Sequence, residues 1–276
     1  MRFEEPYLGI LAIDRFSERE LIDSDLNLVG RESVAVDRQG VALGGGVAAN
    51  LNVARRVAIA ECAERKFCRE LTDRIGWRLD SYPTTCGFAA GFEPGPTRMR
   101  SLCEGLERWA WSHWIDFGRG IPELNAIESL SPIGRVFSLL FDKVRFFQVP
   151  LSISGIDIRL QICISIGYKN DGVFPGSRVC PISDDGWTHA LTESKRHLNI
   201  ASHPKPDAQD IVYQRIFNFA KNAKNADLQI PVKHQKWPTA EIEFQRDHSE
   251  GQFYYCRTVM KDFIPWHVGN KERFVY

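Results

Sequence analysis

The sequence lacks the features that mark several common classes of protein. Acidic and basic residues balance at 35 each, which argues against a nucleic-acid binder, since such proteins usually carry a basic excess. No apolar run is long enough to cross a membrane. The N-terminus joins acidic residues to a short apolar stretch, without the basic start and longer apolar run of a signal peptide. We therefore expect a cytoplasmic protein that acts on neither nucleic acid nor membrane.

Familiar catalytic and metal-binding motifs are also missing. The seven cysteines are odd in number and never occur as CxxC, so neither a disulfide framework nor a zinc ribbon is indicated. Neither GxSxG nor HExxH occurs, so the common hydrolase motifs gain no support. No low-complexity segment or clear linker divides the chain. We expect a single domain over residues 1–276, long enough to bury a core.

The sequence does contain one pattern twice: a glycine-bearing segment, then a helix, then Glu-x-x-Glu-Arg. Glycines at 44–46 precede a helix predicted over 48–71, and the glycine-bearing stretch 81–91 precedes a helix predicted over 97–114. Because the pattern occurs only twice, we interpret it as an internal pseudo-repeat rather than a solenoid. The two motifs consist of Glu61, Glu64 and Arg65, and of Glu104, Glu107 and Arg108.

The chemistry of these motifs lies in the paired glutamates. Carboxylates at positions i and i+3 of a helix lie on one face, so each pair points in one direction. Four carboxylates that meet in one cleft repel one another unless a cation neutralises them, and Mg²⁺ commonly bridges carboxylates to phosphates. A single such cluster is usually a solvated helix face. Two copies, on helices rich in Ala, Cys and Leu, favour a function, because buried glutamates need partners.

The first glycine segment also permits an alternative. Gly44, Gly46 and Ala49 match a loose GxGxxA after a predicted strand, as in dinucleotide-binding folds. The acidic residue of that motif should end a second strand, whereas Glu61 and Glu64 lie within the predicted helix. The segment also lacks the Gly-Lys-Ser/Thr ending of a P-loop. Close backbone approach and anion binding at a helix N-terminus remain the expected uses of these glycines.

The remaining periodicity indicates a mixture of helices and strands. We predict an α/β (α+β) fold with mixed sheets, in which both motif helices face one cleft. The stretch 202–250 is expected to form loops around one helix. The further helices are predicted over 133–144, 184–198 and 210–223, and the strands over 33–37, 40–43, 146–153, 156–168 and 253–260.

These residues resemble the YcaO family of ATP-dependent peptide-modifying enzymes. The likeness covers roughly residues 40–270, where four blocks of sequence follow one another in the order seen in the family. The second of these blocks is the most specific. The similar blocks are 57–64 (VAIAECAE), 87–91 (GFAAG) with 104–108 (EGLER), 189–193 (HALTE) and 254–265 (YYCRTVMKDFIP).

The resemblance implies Mg²⁺ and ATP as cofactors and a function in peptide modification. Such proteins activate a peptide backbone amide so that a nucleophile, which is a Cys, Ser or Thr side chain, sulfide or an amine, adds to the amide carbon. The product is an azoline, a thioamide or an amidine. We expect the chain to be too short to carry its own leader-peptide-binding domain, so a partner protein that supplies substrate or nucleophile is expected, and a homodimer is left open. The resemblance assigns metal and ATP phosphates to Glu61, Glu64, Glu104, Glu107 and Glu193, with Arg108 supporting them.

The chain also departs from the family pattern at four positions. Val57 replaces a serine, Gly45 a common lysine and His189 an arginine, while Pro96 aligns with an acid for which Glu93 could substitute. The carboxylates are thus retained better than the groups around the nucleotide. A second hypothesis follows: a degenerate, non-catalytic YcaO-like subunit that binds or scaffolds within a peptide-modifying complex.

Overall fold

The structure is a computed structural model that describes residues 4–77, 85–115, 117–170, 172–202 and 236–264. No helix within these ranges is both long and apolar enough to cross a membrane. The helix predicted over 210–223 lies outside the described residues, as does Pro265 at the end of the fourth family block.

Five helices and ten strands make up the described chain. The helices are α1 (Glu5–Leu8), α2 (Leu51–Arg74), α3 (Pro94–Ile115), α4 (Pro132–Ser138) and α5 (Gly186–Ser202), with a short 3₁₀ turn at Ile127–Ser129. The strands are β1 (Arg15–Ile22), β2 (Leu28–Val36), β3 (Ala42–Ala48), β4 (Phe88–Gly91), β5 (Glu123–Leu124), β6 (Lys143–Ile153), β7 (Ile156–Lys169), β8 (Gly172–Pro181), β9 (Ile242–Glu250) and β10 (Phe253–Met260).

The chain forms two compact units. The first comprises Met1–Gly105 with Phe244–Val259, and the second comprises Leu106–Glu243 with Met260–Tyr276. The boundary between Gly105 and Leu106 falls inside α3, which agrees with the lack of a linker signal in the sequence. The single domain expected over residues 1–276 stays a prediction.

In the first unit, the sheet β1-β2-β3 packs against α2, and a second sheet has the order β4-β10-β9. The three glycines, expected to follow a short strand over 40–43 and to allow close backbone approach, lie inside β3. A Cβ on Gly44 would lie 2.6 Å from the Ala58 carbonyl oxygen, and one on Gly46 would overlap the Ala54 carbonyl oxygen. The glycines therefore bring the strand and helix backbones together. Because β3 pairs antiparallel with β2, the dinucleotide-binding alternative is wrong.

Aromatic and aliphatic side chains form the core of the first unit. Tyr7 packs against Phe253 and Phe92 with ring centroids 5.3 and 5.2 Å apart, and Phe67 meets Tyr255 at 5.1 Å. Ile59 and Ala63 of α2 are fully buried in the same cluster. This packing fixes the face of α2 that lies on the sheet and leaves Glu61 and Glu64 on another side.

In the second unit, β5-β6-β7-β8 form an antiparallel sheet that is covered by α5. β7 is one of the two inner strands, and Leu160, Ile162, Ile164 and Ile166, which alternate along one face, are all fully buried. The intervening Cys163 and Ser165 are fully buried too, so both faces of the strand are covered. The sheets were expected to be mixed, but the pairings with described registers are antiparallel; Ile153 and Ala240 form an isolated parallel bridge.

Most predicted elements are present within a few residues, including α2, α3, α5, β6, β7 and β10. The helix predicted over 133–144 ends early at Ser138, because Lys143 and its successors pair with β7. β8 was not predicted, since its two glycines and Pro175 are typical of turns rather than sheets. β9 lies in a stretch predicted as loops, and its hydrophobic alternation is weak.

The close contact of β3 with α2 predicts that Gly46→Ala destabilises the protein. The added methyl group meets the helix backbone, which cannot rotate away as a side chain could, so we expect a loss of about 3 kcal/mol in urea unfolding. Gly95→Ala is the matched control, because a Cβ there has no neighbour within 4 Å. Equal stability of the two variants would contradict this account of the glycines.

Candidate functional site

Glu61 on α2 is bound to the edge of β3. Its carboxylate accepts a hydrogen bond from the Gly45 amide at 2.6 Å and forms an ion pair with Arg65 at 2.5 Å. Arg65 also donates to the Leu43 carbonyl oxygen at 3.3 Å. Leu43 and Gly45 are two residues apart in a strand, so their backbone groups point to the same side. The Glu61–Arg65 pair thus covers outward-facing backbone groups of β3 and orients the Glu61 carboxylate.

Glu64, one helical turn further along α2, lies among charges from α2 and α3. Its carboxylate pairs with Arg100 at 3.4 Å, and Arg100 in turn donates to the Ala90 carbonyl oxygen at 2.9 Å. Burial, followed by the nearby carboxylates of Glu104 and Glu61, raises the pKa of Glu64 to about 8, while Arg100 opposes the rise. The first unit therefore brings Glu61, Glu64 and Glu104 within electrostatic reach of one another.

The chemistry of this group fits a hard divalent cation. Carboxylate oxygens are the ligands that Mg²⁺ prefers, and mutual repulsion of partly buried carboxylates is relieved by such an ion. Within the described residues, however, no three His, Cys, Asp or Glu side chains are already arranged to hold a metal. Binding would therefore require side-chain rotation of Glu61, Glu64 or Glu104 away from their present arginine and amide partners.

Glu107 belongs to the second unit and is almost fully buried there. One carboxylate oxygen accepts from the Ser177 hydroxyl at 2.8 Å, and the other accepts from the Val179 amide at 3.1 Å. The Trp111 indole N–H donates to the Ser177 oxygen at 2.7 Å, which fixes the direction of the hydroxyl. Arg108 lies 3.4 Å from the carboxylate. Glu107 thus ties α3 to β8, a structural role that its spacing did not reveal.

Glu193 on α5 lies beside two basic side chains of the same helix. Its carboxylate pairs with Arg196 at 2.7 Å and lies 3.8 Å from the His189 Nε2 atom. His189 occupies the position of the family arginine, so Arg196 supplies the permanent cation here. Both Arg196 and Arg108 lower the pKa of His197 in the same unit, so both guanidinium groups lie within electrostatic reach of that ring.

His197 is held neutral in the interior of the second unit. Its Nδ1 atom donates to the Pro175 carbonyl oxygen at 2.6 Å, and the carbonyl can only accept. Burial, with Arg196 and Arg108 adding to it, lowers the pKa of His197 to about 4, although the bond to Pro175 opposes this. The imidazole therefore packs as an uncharged group behind the arginines.

Sequence reasoning missed Arg100, Arg196 and Ser177, and it favoured a surface or hydrogen-bonded histidine over a metal ligand at His197. Two of them carried a usable signal: Arg100 precedes Glu104 by four residues, and Arg196 follows Glu193 by three, which are the spacings of helical ion pairs. Ser177 and His197 depend on contacts between distant parts of the chain. The prediction that all five glutamates share one cleft stays a prediction.

Comparison with solved structures identifies the fold. The chain is similar to YcaO from Methanopyrus kandleri bound with AMPPCP and Mg²⁺, with a TM-score of 0.53 and 15% identity, over 79% of this chain and 70% of that one. It is also similar to a heterocyclase in complex with substrate and cofactor, with a TM-score of 0.56 and 10% identity. The chain has a YcaO-type fold. The predicted resemblance is thus confirmed at the level of the fold.

The likeness to these YcaO-type structures is one of shape rather than sequence. No protein-family model and no curated protein matches the chain significantly. The match to the heterocyclase covers 95% of this chain and 52% of the other, so the chain spans about half of that protein's length. Activity, substrates and partners therefore remain matters for proposal.

The different surroundings of two motif glutamates predict different effects of removing their charge. Glu107→Gln places an amide N–H₂ against the Val179 or Ser177 donor, so we expect a loss of about 2 kcal/mol in urea unfolding. Glu104→Gln should change stability by less than about 0.5 kcal/mol, because that side chain is only half-buried. The reverse order of the two effects would contradict the anchoring role of Glu107.

The neutral state of His197 predicts acid sensitivity. The unfolded chain takes up a proton near pH 6.5, whereas the folded protein resists it until about pH 4, so stability is complete above pH 6.5 and falls below it. Between pH 7 and pH 5 the loss amounts to about 2 kcal/mol.

Two asparagine variants test the contribution of His197. His197→Asn keeps a donor for the Pro175 carbonyl without a titrating group, so its stability should fall less between pH 7 and pH 5 in urea unfolding. His189→Asn, at a position 42% exposed, should keep the loss seen in the original protein. Identical pH dependence of all three proteins would show that His197 is not the responsible group.

Proposed function

We propose that this protein uses Mg-ATP to activate a peptide backbone amide, as part of a peptide-modifying system. The observation that carries the proposal is the gathering of Glu61, Glu64 and Glu104 in one unit of a YcaO-type fold. The solved YcaO neighbour binds AMPPCP and Mg²⁺, which supports a nucleotide with its metal as the ligand of this fold. The proposal assigns the metal to Glu61, Glu64, Glu104, Glu107 and Glu193.

The carboxylates of the first unit are suited to neutralisation by a cation. Both carboxylate oxygens of Glu61 are held, one by the Gly45 amide and the other by Arg65, so a metal would take the place of one of these partners. Glu64 is partly desolvated beside other carboxylates, and a divalent ion there would stabilise its charged form. Mg²⁺ would supply charge neutralisation of the phosphates, and these glutamates would hold and orient it.

The second unit offers guanidinium groups for the phosphates. Arg108 and Arg196 are both less than one third exposed and lie near His197. Arginine forms two parallel hydrogen bonds to a phosphate, so a pair of them positions a phosphate chain as well as neutralising it. Phosphoryl transfer depends mainly on positioning and on neutralising charge, and both are tasks that these residues can perform.

The substrate in this proposal is a peptide, whose amide oxygen receives the phosphoryl group while a nucleophile adds to the amide carbon. Loss of phosphate then gives an azoline, a thioamide or an amidine. The heterocyclase neighbour is a complex with its substrate and cofactor, which supports substrate binding by this fold. A partner protein that supplies substrate or nucleophile is part of the proposal.

Calorimetry with a non-hydrolysable ATP analogue and Mg²⁺ tests the proposed site. Glu64→Gln and Glu104→Gln should each weaken Mg²⁺-dependent binding by at least about tenfold, or roughly 1.4 kcal/mol. Glu107→Gln should weaken it too, and its lower stability is measured separately. Glu70→Gln, an exposed glutamate on the same helix as Glu64, is the matched control. Undiminished binding in the first two variants would reject these site residues.

The structure also favours a second candidate, a non-catalytic YcaO-like subunit that binds or scaffolds a modifying complex. Both oxygens of Glu107 already hold β8, and Gly45 offers only a backbone amide where relatives carry a lysine. ATP turnover, measured alone and with added candidate partners, separates the two. Turnover that is lost in Glu64→Gln supports the enzyme, whereas stable complex formation without turnover supports the scaffold.

A further inference from the structure

A small pocket in the second unit lies apart from the glutamate motifs. It has a volume of about 100 Å³. Trp109 follows Glu107 by two residues, which places it about 200° around the helix and so on the far side of α3. The residues used below, all of which line the pocket, are Trp109, His113, Glu241, Lys261 and Asp262.

His113 contributes a hydrogen-bonding atom that lacks a protein partner. Its Nδ1 atom is buried and has no hydrogen-bond partner among the described residues. The ring packs at a tilt against Trp109, with centroids 4.1 Å apart, and against Phe117 at 4.9 Å, so it is held in place. Burial, followed by the charge of Arg119, lowers the pKa of His113, which keeps the ring neutral at pH 7. Because buried polar atoms are nearly always paired, this nitrogen is suited to a ligand.

The charged groups around the pocket are of both signs. The Asp262 carboxylate favours the protonated form of His113, whereas Arg119, which is not among the residues that line the pocket, disfavours it more strongly. Glu241 pairs with Lys261 at 3.1 Å, and the Lys261 amide donates to the Glu241 carbonyl oxygen at 2.8 Å, which fixes this wall. Asp262 has a φ of 60°, a left-handed conformation that is uncommon outside glycine and occurs at functional sites.

We propose that this pocket binds a primary ammonium group, with the His113 Nδ1 atom and the Asp262 carboxylate as acceptors and the Trp109 ring as the apolar wall. An ammonium group has three donors and no acceptor, which complements a lone pair and carboxylates. An aromatic face adds attraction for a cation. Glu241 and Lys261 neutralise each other, which leaves the Asp262 carboxylate as the charged acceptor that lines the pocket. The site does not depend on the proposed use of ATP.

Titration of the full chain with n-propylammonium, followed by ¹H–¹⁵N NMR, tests the proposal. The indole N–H signal of Trp109, assigned with Trp109→Phe, should shift saturably with a dissociation constant on the order of millimolar. The neutral isostere 1-propanol and the anion propionate are the comparison ligands. Both should bind at least about tenfold more weakly, because neither combines a positive charge with three donors.

Variants of the two acceptors complete the test. Asp262→Asn tolerates the left-handed backbone and His113→Phe keeps the ring, so each should fold and bind propylammonium at least about tenfold more weakly. Glu128→Gln removes one exposed negative charge outside the pocket and should bind normally. Equal binding of 1-propanol would show an apolar cavity only, and unchanged affinity in both acceptor variants would place the ligand elsewhere; either result overturns the proposal.

Discussion

Carboxylates that are partly withdrawn from water beside one another impose the main constraint on this protein. Glu64 has a raised pKa because burial and the charges of Glu61 and Glu104 all disfavour its ionised form. Arg65 and Arg100 relieve only part of this cost, through single ion pairs. Such an arrangement is unfavourable for stability alone. A bound cation would neutralise these carboxylates and remove most of the cost of burying them. We therefore propose that the arrangement serves to bind a ligand rather than to stabilise the fold.

The glycines of β3 show how packing and this charged group depend on each other. Gly44 and Gly46 allow α2 to lie directly on the strand, and that contact brings Glu61 within hydrogen-bonding distance of the Gly45 amide. Any side chain at these positions would push the helix away and release Glu61. The glycine-rich segment that resembles a phosphate-binding loop in sequence therefore acts here by positioning a carboxylate.

The sequence predicted the parts of the structure that depend on local periodicity. α2, α3, α5 and β10 follow from apolar spacing and helix propensity, and the glutamates of interest were found because their i and i+3 spacing is local. β8 could not be predicted, because its Pro175 and glycines are accommodated only through pairing with β7 and coverage by α5. For the same reason, the bond from Ser177 to Glu107 joins residues 70 positions apart and left no local signal.

The Glu-x-x-Glu motif fixes direction but does not fix what each carboxylate meets. Glu107 accepts hydrogen bonds from β8 in the second unit and is a buried anchor. Glu104, which belongs to the first unit, instead contributes to the raised pKa of Glu64. In the second unit, burial first and then the charges of Arg196 and Arg108 lower the pKa of His197, so the ring stays neutral behind these arginines. The same three-residue spacing thus gives one carboxylate charged neighbours and the other a set of hydrogen-bond donors, and only the tertiary structure separates the two roles.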